Sequence, residues 1–412
     1  MECAATRGTI ARGERLGRWC MKVFRSRTSG AGGLGFLHGG PARTGFVWPV
    51  LLASGITLLA ACGGPAPTAS PPPHQHHHTA HPASTPVATN SGARDPLTGL
   101  ATPVHGPLVA LMIENSEYAR PQFGLSSADV VYEAYMESFY YTRFMLLYWG
   151  HAPQTVGPVR SARPYFVSWV HSWGAAYAHA GGSTLGDQAI INDGIHNMDG
   201  LANAQSLYYR TTSLPAPHNL FSDMANLMTY ARSHWGNPPV TPQWSFASPT
   251  PSGASAPPYQ TITMQWNTRN TIEQWRWNSA DAGYTRWVMC PVSCSQTGYT
   301  QVMGQNAHRP VVAKNIIFQY TTEYLDNSDP NPNPGDRWIL IDTHGQGVAK
   351  MFLGNRYYVG TWRNGGPGQP TRFYLANGQP ARFDPGQTWI EVVPTAASGT
   401  SFRLTLSPTP TP

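Results

Sequence analysis

The residues best placed to do chemistry begin with two arginines three positions apart. Residues 156–183 read VGPVRSARPYFVSWVHSWGAAYAHAGGS. Arg160 and Arg163 stand just ahead of Phe166, Trp169, Val170 and Trp173, a spacing that marks one buried helix face. Pro164 suits the first helical turn, where its missing N–H costs nothing, and it biases Arg163 away from helical dihedrals. Two guanidinium forks beside free backbone N–H groups and the positive end of a helix dipole suit a carboxylate or a phosphate. Ser161 lies between them. Gly181, Gly182 and Ser183 close the stretch in a turn where backbone can approach closely. Arg143, at the start of an upstream strand, completes the anion-binding set. The competing arrangement, in which these arginines pair with the protein's own Asp and Glu, leaves the same trace in a sequence.

Four further residues suit proton transfer. Glu133 and Glu137 fall on one face of an alternating run at residues 130–138, where they form an acid/base pair or half of a salt-bridge cluster. His179 and His218 are the matching proton carriers. Beside arginines that stabilise developing negative charge, these four make a hydrolase or transferase acting on cell-wall material. No Gly-x-Ser-x-Gly elbow accompanies Ser161 or Ser183, so nothing fixes a serine nucleophile. The leading reading is therefore a binding or scaffolding protein with an arginine-lined anion pocket, and the enzyme is the alternative. No cofactor and no structural metal are expected.

The elements that must hold these residues are of two kinds. Residues 94–245 read as a mixed α/β domain: strands at 108–113 and 175–179, a hairpin of 130–138 with 142–149 turning near Phe139 and Tyr140, and helices from Pro164 and at 185–191. A rigid loop at 215–219 carries His218. Residues 246–258 (FASPTPSGASAPP) form a linker by composition. Residues 259–406 hold short apolar runs punctuated by Gly, Pro and Asn, the pattern of an all-β sandwich or barrel. The fold class is thus α+β. Trp266, Trp275, Trp277, Trp287, Trp338, Trp362 and Trp389 in the second part are expected in its core, with stacking on sugar rings as the other use. Residues 407–412 read as a disordered tail.

The 412-residue chain carries a formal charge of +6, and all of it belongs to the first 61 residues. From Cys62 onward basic and acidic residues balance at 19 each. Without a basic excess the counterion-release term is small, so nucleic acid is excluded as a partner. Residues 46–61 form an apolar run after the basic region, too short to span a bilayer comfortably and suited to a secretory signal. They end in Leu59-Ala60-Ala61-Cys62. This resembles a lipobox, which makes residues 1–61 a lipoprotein signal peptide starting at Met1 or Met21. Cys62 then bears a palmitate-type lipid that anchors the protein outside the cytoplasm. Residues 62–93 are a Pro/His/Ser/Thr tether too polar to fold. Its histidines, His74 to His81, are weak metal ligands at most. Cys290 and Cys294 suit a local disulfide in an oxidising compartment. A cell-wall or protein partner fits such a location.

PLTGL from Pro96, then LMIEN, ARPQFGLSSADVVYEAYMES, TRFMLLY, GPVRSARPYF, AHAGGS and APHNL, together resemble the YerB-like lipoprotein family of bacteria. This is a domain-of-unknown-function family with an N-terminal and a C-terminal part. KNIIFQY, HGQGVAKMFLGNRYYVGTW and GQTWIEVVP extend the likeness over most of the chain after Arg94. It implies a fold and a location but no reaction. Its shared motifs add Asn115, Arg120, Gln122, Asp129 and Asn219 as further pocket candidates. Where the family tends to carry Glu-Gly-Gly, this chain has Glu137-Ser138-Phe139-Tyr140-Tyr141; such aromatics would narrow a pocket at the hairpin end.

Overall fold

The computed structural model describes residues 93–102, 105–266, 272–289, 298–305, 308–330, 335–398 and 400–410. The residues read as a signal peptide, Cys62, nearly all of those read as a tether, and the Cys290/Cys294 loop lie outside the described residues. None of the described helices is long and apolar enough to cross a membrane.

Alternating and continuous apolar runs become strands. In chain order the strands of the two main sheets are β1 (Leu108–Glu114), β2 (Val130–Tyr135), β3 (Thr142–Trp149), β4 (Ala176–His179), β5 (Asn197–Asp199), β6 (Tyr259–Trp266), β7 (Ile272–Asn278), β8 (Gly283–Met289), β9 (Tyr299–Gln301), β10 (Asn315–Thr321), β11 (Gly345–Leu353), β12 (Arg356–Asn364), β13 (Arg372–Leu375), β14 (Thr388–Pro394) and β15 (Phe402–Pro408). The helices are α1 (Pro164–Trp173), α2 (Thr184–Asn192) and α3 (Met224–Trp235). Pro164 opens α1 as the spacing predicts, Arg163 precedes it in extended conformation, and Gly174 ends it at φ 64°. Ser183 Oγ accepts the Gly186 N–H at 3.1 Å and caps α2.

A ten-stranded sheet runs in the order β13-β12-β11-β10-β14-β2-β3-β1-β4-β5. It draws on both halves of the chain, so an independent sandwich or barrel over 259–406 is not what forms. Five of that region's strands extend the sheet begun by β1 to β5. Strands β6 to β9 and β15 form a second, six-stranded sheet ordered β9-β8-β7-β6-β15, with the short strand Val312–Ala313 paired to β8. The sheets meet through aromatics: Trp266 against Tyr135 at 4.9 Å and Trp275 against Trp389 at 4.9 Å. On the opposite face Tyr132 stacks on Trp169 of α1 at 5.0 Å. Six of the seven tryptophans are buried and Trp287 is half-buried, which leaves those six no role as a glycan-stacking face.

Two composition-based boundaries differ. Residues 246–258 are pinned rather than loose, since Thr250 donates from its N–H and its hydroxyl to Asp384 Oδ1 at 2.9 Å each. The strand β15 runs to Pro408, past the expected start of the tail, and Thr409 bonds back to Pro258.

Candidate functional site

Strand register decides which polar groups meet. Glu114, the last residue of β1, pairs across the sheet with Arg143 of β3, so both point to the α1 face. Asn115 and Thr142 follow on the other face, toward the second sheet. Alternation in β2 sends Glu133 to that same second face, and a 3-10 turn at Glu137–Phe139 breaks the pattern before Glu137. Ser138 and Phe139 take φ of 54° and 58° there, the left-handed region that favours glycine. The turn swings Glu137 toward α1, so the two glutamates part company.

On the α1 face a cavity of about 510 Å³ is lined by Glu114, Ser116, Tyr118, Glu137, Tyr140, Tyr141, Arg143, Arg160, Ser161, Arg163, Gly182, His218, Asp336 and Trp338, among others. Arg160 grips Glu114 with two bonds, Nε to Oε2 at 2.7 Å and Nη2 to Oε1 at 3.0 Å. Burial pushes the Glu114 carboxyl up, but the Arg160 bonds and charge, with help from Ser116 and His218, outweigh it and hold its pKa down. His218 Nδ1 lies 2.8 Å from Glu114 Oε1, and Ser116 Oγ donates to the same oxygen at 2.6 Å. Among the described residues nothing bonds His218 Nε2. Arg163 pairs with Glu137 and lies 4.7 Å over the Trp338 ring.

Arg143 differs from its neighbours. It is 3 % exposed, donates Nη1 to the Ser161 carbonyl at 2.8 Å, and no carboxylate pairs with it among the described residues. Its Nε is buried without a partner. Burial, then the Arg160 charge, push its pKa down to about 10. Tyr140 and Tyr141 of the hairpin end line the cavity.

Several expected site residues lie elsewhere. Glu133 is fully buried on the second face, where Arg286 Nη2 donates to it at 2.6 Å and to Glu273 at 2.5 Å while Nη1 donates to Glu391 at 3.2 Å. It is part of a sealed salt-bridge cluster, with no route for acid/base chemistry in the cleft. Asn115 Nδ2 bonds Glu133 and Thr142, and Gln122 Nε2 bonds the Asn115 amide oxygen. His179 is 1 % exposed, with Nδ1 2.9 Å from the Gly181 carbonyl and Nε2 2.7 Å from Asn197 Oδ1, so both ring nitrogens are taken and it carries no proton to the cleft. Gly181 donates to Asp199, and a Cβ on Gly182 would meet Asp187 Oδ1 at 2.0 Å. Ser183 is spent as the α2 cap. Asn219 bonds Arg210 and Thr211 outside the cleft. Asp129 is buried against Asp95 and His151, with ligand atoms within 4.8 Å of one another. Burial and the Asp95 charge push its carboxyl well up, and its Oδ2 holds the Trp149 N–H at 2.7 Å.

Glu114, Ser116, Asp336 and Trp338 were not singled out from the sequence as site residues. Glu114 had a signal, since it ends an apolar strand and lies next to Asn115. Ser116 follows Glu114 by two residues and bonds it, whereas Asp336 and Trp338 become visible only when the distant hairpin of Glu323–Pro330 with Arg337–Ile341 packs beside α1.

Residues 97–236 match the N-terminal domain of DUF3048, a protein family of unknown function, and residues 262–390 match its C-terminal domain. The chain is 29% identical over 311 residues to "Putative lipoprotein YerB" of Bacillus subtilis (strain 168), spanning 73% of this chain and 86% of that one. It is also similar to the crystal structure of the YerB protein from Bacillus subtilis, with a TM-score of 0.61 and 26% identity over 76% of this chain and 99% of that one.

Proposed function

Because the chain belongs to the YerB-like DUF3048 family, whose two parts carry no assigned reaction, we propose that it is an extracytoplasmic, lipid-anchored binding protein whose cleft holds a carboxylate. Arg143 is the observation that carries this reading. Arg160 and Arg163 each have a glutamate of their own, whereas Arg143 is buried beside them with no carboxylate partner among the described residues. A buried guanidinium without a counter-charge is costly, and an incoming carboxylate offsets that cost with charge-assisted hydrogen bonds. One unmatched cation suits a monoanion, and the aromatic mouth of Tyr118, Tyr140 and Trp338 suits a ligand with a flat or apolar body next to it. The lipid on Cys62 holds such a cleft near the cell wall, where free peptide carboxylates occur. The test is titration with an N-acetyl dipeptide and with its C-terminal amide. The acid should bind, the amide should not, and Arg143→Gln should weaken the acid at least about tenfold. Equal binding of acid and amide, or affinity untouched by Arg143→Gln, would sink the proposal.

A second reading rests on Glu114 and His218. A carboxylate that accepts from Nδ1 leaves Nε2 turned outward as a general base, the arrangement of a hydrolytic dyad. In that reading Arg143 holds developing negative charge on the substrate. Turnover of wall fragments that disappears in His218→Gln, with dipeptide binding retained, supports it; binding without turnover of any fragment leaves the protein a binder.

A further inference from the structure

On the other face of the large sheet, between the loop after β1 and the strand β8, lies a second cavity of about 370 Å³. That size falls in the usual range for small-molecule sites, roughly 300–1,000 Å³. Its walls are largely apolar, with Leu125, Phe144, Val288 and Val302, and two guanidinium groups, Arg120 and Arg286, reach it. The two arginines are unlike. Arg286 is saturated by Glu133, Glu273 and Glu391. Arg120 has one carboxylate near it, Glu273 at 3.8 Å, beyond hydrogen-bond range and already held by Arg286. Its guanidinium donates no hydrogen bond to any described residue, although its side chain is only 21% exposed. Burial lowers its pKa, Arg286 lowers it further, and Glu273 does not make up the difference. The guanidinium thus lies at the edge of an apolar hollow without a hydrogen-bonded acceptor, although Glu273 is close by.

We infer that this cavity is a binding site for a small apolar monocarboxylate, its acid group on Arg120 and its hydrocarbon body against Phe144, Val288 and Val302. The carboxylate supplies the bidentate acceptor that the guanidinium fork lacks, and the body removes apolar surface from water. The site is separate from the Arg143 cleft, because Arg143 and Phe144 are adjacent on β3 and point to opposite faces.

The experiment titrates the purified full-length protein with octanoate and with 1-octanol, which has a chain of the same length and no charge. Three variants accompany it: Arg120→Gln, Val302→Trp to fill the hollow, and Arg143→Gln as a control for the cleft, each checked for a native circular dichroism spectrum. Octanoate should bind saturably and at least about tenfold more tightly than octanol. Arg120→Gln should remove that preference, Val302→Trp should weaken both ligands, and Arg143→Gln should change neither. Val302 is half-buried near the rim, so its substitution keeps the test open if Arg120→Gln fails to fold. Absence of saturable octanoate binding, equal affinity for acid and alcohol, or loss of binding in Arg143→Gln would each overturn the inference.

Discussion

Arg143 and Arg286 are both almost wholly buried, and Phe144, next in sequence to Arg143, lies 5.4 Å from the Arg286 guanidinium. Their surroundings are opposite. Arg286 faces three carboxylates and Arg143 pairs with none among the described residues. Burial pushes both pKa values down; for Arg286 the three glutamates reverse it and raise the value, while for Arg143 nothing does and the value is about 10. One sheet thus separates a buried cluster with three carboxylates on one cation from an open cleft with a cation that no carboxylate pairs. The first has what a structural cluster needs, one buried cation bonded to three buried carboxylates. The second has access without full pairing, which is the condition for taking up an anion.

The comparison breaks most visibly at Arg286. Arg286→Leu leaves three buried carboxylates without their cation and should cost about 3–5 kcal/mol in chemical denaturation. A cost near zero would mean the cluster is not sealed. Next in size is the pH response of the same cluster. Burial and mutual repulsion raise the Glu133 and Glu391 pKa values above the 4.5 of a free glutamate. A carboxyl whose folded pKa is raised contributes stability that is complete below the unfolded value and is lost as pH rises through the folded one. The melting temperature should therefore fall as pH rises from the unfolded carboxylate value through the raised folded ones, and Glu391→Gln should flatten that fall; an unchanged slope would place the excess charge elsewhere. In the cleft, Arg143→Gln should cost little stability, since it removes an uncompensated charge, while it abolishes the preference for acid over amide. A large stability loss there would make Arg143 a second structural arginine. The smallest effect is expected at Ser183→Ala, which removes the α2 cap for about 1 kcal/mol by thermal melting and leaves dipeptide affinity unchanged.

Local pattern was enough for α1, whose buried face follows the spacing of Phe166, Trp169, Val170 and Trp173, and for the β2–β3 hairpin. It also grouped Arg143, Arg160, Arg163, Glu137 and His218, which do share one cleft. Three things were not legible. Period-2 alternation put Glu133 and Glu137 on one face, but β2 ends at Tyr135 and a 3-10 turn begins at Glu137, and no residue there announces it. The partners of Arg286 come from β2, β7 and β14, as much as 258 residues apart along the chain, and strand order over such spans leaves no periodic trace. A composition rich in Pro and Ser signalled a linker at 246–258, whereas hydrogen bonds to Asp384 and Ser279 hold that segment down.

The parallel insertion of β14 between β10 and β2 has a consequence for how the molecule is made. Synthesis runs from the N-terminus, so β1 to β5 emerge with one edge of β2 bare, and the strand that covers it is nearly the last to appear. Until residue 394 is available, that edge offers unpaired N–H and C=O groups to any passing strand. Taken alone, the N-terminal half therefore leaves one edge of β2 unpaired, and the seven residues that cover it lie close to the other end of the chain.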